Sequence, residues 1–244
     1  MNESPMRACN LPDIFRIPRR SNDTMRWMNI GLVFLFSTLA LTVVAAPRDE
    51  ADFYMLNARM VAAAKAGDAS SVRNLLAEGA APQTRNRGGN TALLLFAERG
   101  DATMVEFLLG KGIDPNQANL DEVTPLMAAA SAGCNPCVDV LLARGADPAR
   151  RDQIDKSAAT YSAAEGHIAI LKALMATGVK ADERDAHQVS LLMWAAGYGR
   201  TELVRFLLGA GAQPHLRDDR GKDAATIALE QGHVALAAEL REAH

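Results

Sequence analysis

From residue 57 onward the apolar positions fall into short runs that repeat every 33 residues. Leu75-Leu76, Leu108-Leu109, Leu141-Leu142, Leu174-Met175 and Leu207-Leu208 keep that step. In the clearest copy Cys137, Val138, Leu141 and Leu142 form a stripe with i, i+1, i+4, i+5 spacing, which buries one face of a helix. A shorter helix is predicted just before it. Thr124 is a good N-cap, and Pro125 suits the first helical position, where its missing N–H costs nothing. Two glycine ladders run in the same register, Gly67, Gly100, Gly133, Gly166, Gly199, Gly232 and Gly79, Gly112, Gly145, Gly178, Gly211. They stand where left-handed C-caps are expected. Ala146-Asp147-Pro148 then forces the chain extended.

An internal period of this length predicts an all-α solenoid of stacked helix pairs. Alanines near the middle of the first helices (Ala62–Ala64, Ala128–Ala130, Ala163-Ala164, Ala195-Ala196) allow close stacking. Aromatic content is only 5%, in keeping with a thin array that lacks one large core. Such an array offers an extended surface rather than a deep catalytic pocket.

The stretches TPLMAAASAGC, VDVLLARGADPARRD and GHIAILKALMATGVKADERD closely resemble ankyrin repeats, over about six units from residue 57 to the end. The resemblance implies paired antiparallel helices with β-turn fingers projecting to one side. It also implies protein–protein recognition through the fingers and the concave helix face. The chain departs from the family pattern in places. The histidine usual after Thr-Pro-Leu is replaced by Leu94, Met127, Thr160, Met193 and Thr226. At the finger tips glycine remains at Gly89 and Gly221, with Glu122, Asp155 and Gln188 in the equivalent places. These changes are expected to weaken individual hydrogen bonds and turns without endangering the fold.

Residues 30–46 carry no charge, and Val44-Ala45-Ala46 provides small or permitted residues for signal peptidase. Seventeen residues are short for a membrane span of about 20. The expected organisation is a signal peptide at 1–46 cleaved after Ala46, a linker at 47–56, and an ankyrin domain at 57–244. Its units are about 57–86, 87–119, 120–152, 153–185, 186–218 and 219–244. A start at Met25 would give a more ordinary signal peptide. The alternative is an uncleaved inner-membrane anchor, with the array exported in either case. Similarity to exported bacterial ankyrin proteins implies the periplasm.

Cleavage would leave 21 basic and 26 acidic residues, a balance that attracts neither nucleic acid nor anionic membranes. A protein partner is expected, together with monomeric behaviour. No catalytic constellation, cofactor or metal is expected. Cys134 and Cys137 are i, i+3 at the entry to a second helix, close enough for a disulfide. In an oxidising compartment a structural disulfide is expected, worth roughly 2 kcal/mol for so short a loop. Two buried thiols and a redox-active pair are the alternatives. His167 repeats the Cys134 position one unit on, but a spacing of about 8–10 Å between stacked helices is long for two ligands of one metal.

The candidate contact surface is the groove. Leu95, Ala128, Tyr161, Trp194 and Ile227 are equivalent on successive first helices, and Tyr198 follows Trp194 by one turn. Tyr161, Trp194 and Tyr198 lie where they can form an aromatic patch, with Leu95 alongside, of the kind that anchors interfaces; for Trp194 the alternative is packing between repeats with partial burial. Charged finger residues, Arg87, Glu122 and His187 among them, complete the expected partner site. A thiol–disulfide protein using Cys134 and Cys137, or a secreted effector binding host proteins, are the rival functions.

Overall fold

The computed structural model describes residues 48–243. The signal segment at 1–46, its cleavage point and the alternative start at Met25 lie outside those residues. Twelve helices follow in order: α1 (Arg48–Ala66), α2 (Ala69–Ala77), α3 (Ala92–Glu98), α4 (Ala102–Gly110), α5 (Pro125–Ala132), α6 (Asn135–Ala143), α7 (Ala158–Glu165), α8 (Ile168–Ala176), α9 (Leu191–Gly197), α10 (Thr201–Gly209), α11 (Ala224–Glu230) and α12 (Val234–Glu242). Each odd-numbered helix packs against the even-numbered helix after it, and the odd helices stack on one another from α1 to α11. The fold is the expected all-α repeat solenoid. Among the described residues, extended pairing is limited to isolated bridges at two finger bases, Arg85 with Thr91 and Arg184 with Ser190. No helix there is long and apolar enough to cross a membrane.

The 33-residue step sets the helix starts. Thr91, Thr124, Ser157, Ser190 and Asp223 are the N-caps of α3, α5, α7, α9 and α11, and each side chain accepts a backbone N–H three residues on. The positions where the family's histidine is replaced prove less weak than the sequence suggests. Met127 and Met193 accept the N–H of Thr124 and Ser190 on sulfur at 3.5 and 3.4 Å, and Thr160 Oγ1 accepts that of Ser157 at 3.4 Å. These three turns therefore keep a reciprocal bond, two of them through a weak acceptor.

The core is the set of rows that the period predicts. Met104, Cys137, Ile170 and Leu203 are buried at one equivalent position, and Leu75, Leu108, Leu141, Leu174 and Leu207 at another. At the last pair, α12 buries Leu236, Ala237 and Leu240 and exposes Ala238, Arg241 and Glu242.

One boundary differs from expectation. Residues 48–56, expected to be a linker, belong to α1, which runs for 19 residues. No glycine or proline interrupts Arg48–Ala66, and Leu56, Asn57 and Met60 anchor that stretch to the core and to Ala81, whose N–H donates to Asn57 Oδ1 at 2.7 Å.

The fingers keep their left-handed tips with or without glycine. Glu122, Asp155 and Gln188 have φ of 61°, 64° and 61°, beside 78° and 75° at Gly89 and Gly221. Neighbouring tips are tied together. The N–H groups of Leu120, Gln153 and Asp219 donate to the carbonyls of Gly88, Asp121 and His187 at 3.1, 3.0 and 3.1 Å. At the remaining junction the Ala186 N–H donates to the Asp155 carboxylate instead.

Candidate interaction surface

A row of buried polar side chains runs along the finger bases: Asn119, Asp152, Asp185 and Asp218. One oxygen of each accepts two N–H groups of its own finger, as Asp185 Oδ1 does from His187 and Val189 at 2.9 Å each. That bond pair holds the turn shut. In Asp152 and Asp185 the second oxygen reaches the first helix nine residues on. Tyr161 Oη donates to Asp152 Oδ2 at 2.6 Å, and Trp194 Nε1 donates to Asp185 Oδ2 at 3.3 Å. The carboxylates thus lock both aromatic rings against their fingers.

Burial raises the pKa of Asp185 above the ordinary aspartate range, opposed by the N–H groups of Val189 and His187 and by the Trp194 indole. A buried ammonium lies nearby. Lys156 is only 5% exposed, with Nζ 4.6 Å from the Trp194 ring centre and 5.5 Å from that of Tyr161. Cation–ring attraction of this kind is worth up to about 2 kcal/mol when desolvated. Tyr198 stacks on Trp194, the two rings 6.2 Å apart and inclined by 16°.

The aromatic residues expected to meet are therefore together, but not as an open patch. Trp194 is 4% exposed and Leu95 8% exposed, and their equivalents Ala128 and Ile227 are buried as well. The reason is the spacing of the stacked first helices. The row points between neighbours, so a large side chain there fills the inter-repeat seam. Tyr161 and Tyr198 stay half-buried, with the Tyr198 hydroxyl itself turned into the protein. On the fingers, Arg87, Glu122 and His187 are exposed. His187 Nδ1 lies 3.4 Å from Asp219 Oδ2 on the next finger.

Lys156 escaped the sequence reading, although a signal existed. Its equivalents one unit before and after are Val123 and Val189, both buried. A lysine where the period demands an apolar residue must lay its stem along the core and find a partner for its head.

Cys134 is the N-cap of α6, and its sulfur accepts the Cys137 N–H at 3.2 Å. The two sulfurs lie 2.08 Å apart, within covalent reach. Cys137 is fully buried and Cys134 nearly so. Thiol–disulfide exchange requires an attacking thiolate to reach a sulfur in line, and of the two residues Cys134 is the more exposed. The His167 ring lies over Gly133, with its nitrogen Nε2 3.3 Å from the Ser131 carbonyl oxygen. Among the described residues no group of acidic, histidine or cysteine side chains is arranged to hold a metal ion.

No curated protein matches the chain. The family model described as ankyrin repeats (3 copies) matches residues 60–152 and 151–218, which takes in the finger row, the tyrosines and the cysteine pair. With helix pairs, left-handed finger tips and a family match over more than half of its length, the chain belongs to the ankyrin-repeat family.

Proposed function

We propose that this ankyrin array is an exported, non-catalytic protein that captures a protein partner through its fingers and the tyrosine-bearing part of its first-helix face. Ankyrin arrays are in general modules of protein–protein interaction, and one observation favours this surface. Tyr161 and Tyr198 are both half-buried and held in place, one by the Asp152 carboxylate and the other by the Trp194 ring. An ordered tyrosine loses little further freedom when a partner covers it. Trp194 and Leu95 act from beneath as the packed support. The exposed finger residues Arg87, Glu122 and His187 add charges of both signs, which favours selectivity and association rate over raw affinity.

Export is supported by the uncharged run at 30–46 with its small residues before Pro47. A bonded Cys134–Cys137 pair agrees with an oxidising compartment such as the periplasm. The mass of the protein recovered from a periplasmic extract tests this part. A mature chain beginning at Pro47 is the expected result, whereas an intact hydrophobic run in the membrane pellet would point to the anchored form.

Cross-linked affinity capture tests the binding part. Wild type is compared with Tyr161→Ala/Tyr198→Ala, with circular dichroism to verify that the variant is folded. A partner retained by wild type and lost by the variant supports the surface named here. A partner retained equally by both would move the contact off the tyrosines, and specific retention by neither would remove the binding reading.

A further inference from the structure

Large apolar side chains stand exposed at few places among the described residues. Phe53, Tyr54 and Met55 lie on α1, and Leu229 and Val234 in the last helix pair. Between those ends there are two, Leu120 at 63% and Ile154 at 42% exposure, and they occupy the tips of adjacent fingers. Stacking does not require apolar residues there, since the corresponding tips carry Arg87, Ala186 or His187, and Asp219 or Arg220. The two fingers form one unit. Gln153 donates through its N–H to Asp121 O at 3.0 Å and through Nε2 to Leu120 O at 2.5 Å. Leu120 is steadied from the other side by its own N–H on Gly88 O at 3.1 Å.

On the finger that carries Leu120 the exposed tip charges are both acidic, while Arg87 stands on the finger before it. Asp121 and Glu122 are exposed and form no ion pair among the described residues. Three acids on the later fingers do meet a basic side chain. Asp155 meets Arg151 at 3.3 Å, Asp218 meets Arg220 at 2.6 Å, and Asp219 faces His187. An exposed apolar pair beside two exposed acids that make no ion pair of their own fits an apolar side chain flanked by lysine or arginine. The same acids repel nucleic acid and anionic lipid.

We infer that the tips of the second and third fingers, Leu120, Asp121, Glu122 and Ile154, bind a partner segment in which apolar residues are flanked by basic ones. This rests on the binding function proposed above and assigns the partner's chemistry. Leu120 and Ile154 supply the contact area, and Asp121 and Glu122 select the basic flanks.

The test is selection of a phage-displayed random peptide library on the full-length protein, followed by fluorescence anisotropy of the enriched peptides. The expected peptides carry Leu, Ile or an aromatic residue next to Lys or Arg. Their binding weakens with added salt, and it falls about tenfold or more with Leu120→Ser/Ile154→Ser and with Asp121→Asn/Glu122→Gln. All four positions lie at finger tips, and an unchanged urea midpoint verifies that each variant is folded. The proposal is overturned if no peptide is enriched, if enriched peptides lack basic residues, or if both double variants bind as well as wild type. Capture of the partner separates the two levels of inference. A partner lost with Tyr161→Ala/Tyr198→Ala yet kept by both finger variants removes this assignment and leaves the array's binding role standing.

Discussion

Trp194 and Asp185 are joined through the indole N–H, at 3.3 Å, across the seam between a finger and its own first helix. One repeat earlier, Tyr161 and Asp152 make the same connection at 2.6 Å. The relationship makes both aromatic residues braces for their fingers, Trp194 buried in that role and Tyr161 half-buried. Trp194→Ala should therefore act on stability. Removing a buried aromatic side chain costs about 3–5 kcal/mol, and Trp194→Phe, which keeps most of the packing but strips Asp185 of a donor, about 1–2 kcal/mol. Urea unfolding monitored by circular dichroism measures both. An unchanged midpoint for Trp194→Ala would mean that the ring is not the brace described here.

The 33-residue step made the fold legible from the sequence, because helix pairs, caps and core rows follow from local chemistry repeated in register. The site was legible only in part. Spacing alone brought Tyr161, Trp194 and Tyr198 onto one face, but which of them reaches solvent depends on how closely neighbouring helices stack. Lys156 was hidden for a related reason. A charged residue reads as exposed until its repeat position is compared with Val123 and Val189. The start of α1 was missed because no repeat precedes it to reveal the register.

Glu122 and Gln188 hold left-handed finger tips at φ of 61° each, a conformation that an L side chain adopts only at a cost. Both residues are exposed, so the conformation is imposed by the finger rather than by a buried contact. Left-handed backbone costs a non-glycine residue roughly 1–2 kcal/mol, while glycine loses about 0.5–1 kcal/mol in chain entropy. Glu122→Gly and Gln188→Gly should each stabilise the array by about 0.5–1 kcal/mol, read as a higher urea midpoint. Asp155→Gly should gain less, because its carboxylate also holds Arg151 and the Ala186 N–H.

Gly199 and Gly211 both have positive φ, 65° and 90°, but only one is crowded. A Cβ on Gly199 would lie 2.5 Å from His233 Cε1, whereas none would touch anything within 4 Å at Gly211. Gly211→Ala should cost only the backbone term, about 1 kcal/mol. Gly199→Ala should cost more, and the excess should shrink in a His233→Ala background. Additive costs in that double-mutant cycle would deny the contact.

Asp68 caps α2 and accepts hydrogen bonds from the Ser71 hydroxyl at 2.6 Å, the Ser71 N–H at 3.0 Å and the Ser70 hydroxyl at 2.7 Å. These bonds favour the ionised carboxylate and lower its pKa from 3.8 to about 2. The folded value lies below the unfolded one, so the linked stability is present above about pH 4 and is lost as pH falls toward 2. Asparagine caps nearly as well as aspartate but does not titrate. Burial moves Glu98 and Asp185 the other way, which favours unfolding as pH rises above the unfolded carboxylate range. That contribution is common to wild type and Asp68→Asn, so it cancels in their difference. The stability gap between the two proteins should thus be steady above pH 4 and narrow between pH 4 and pH 2. Thermal unfolding across that range measures it, and a gap independent of pH would show that the Asp68 charge does not contribute to the cap.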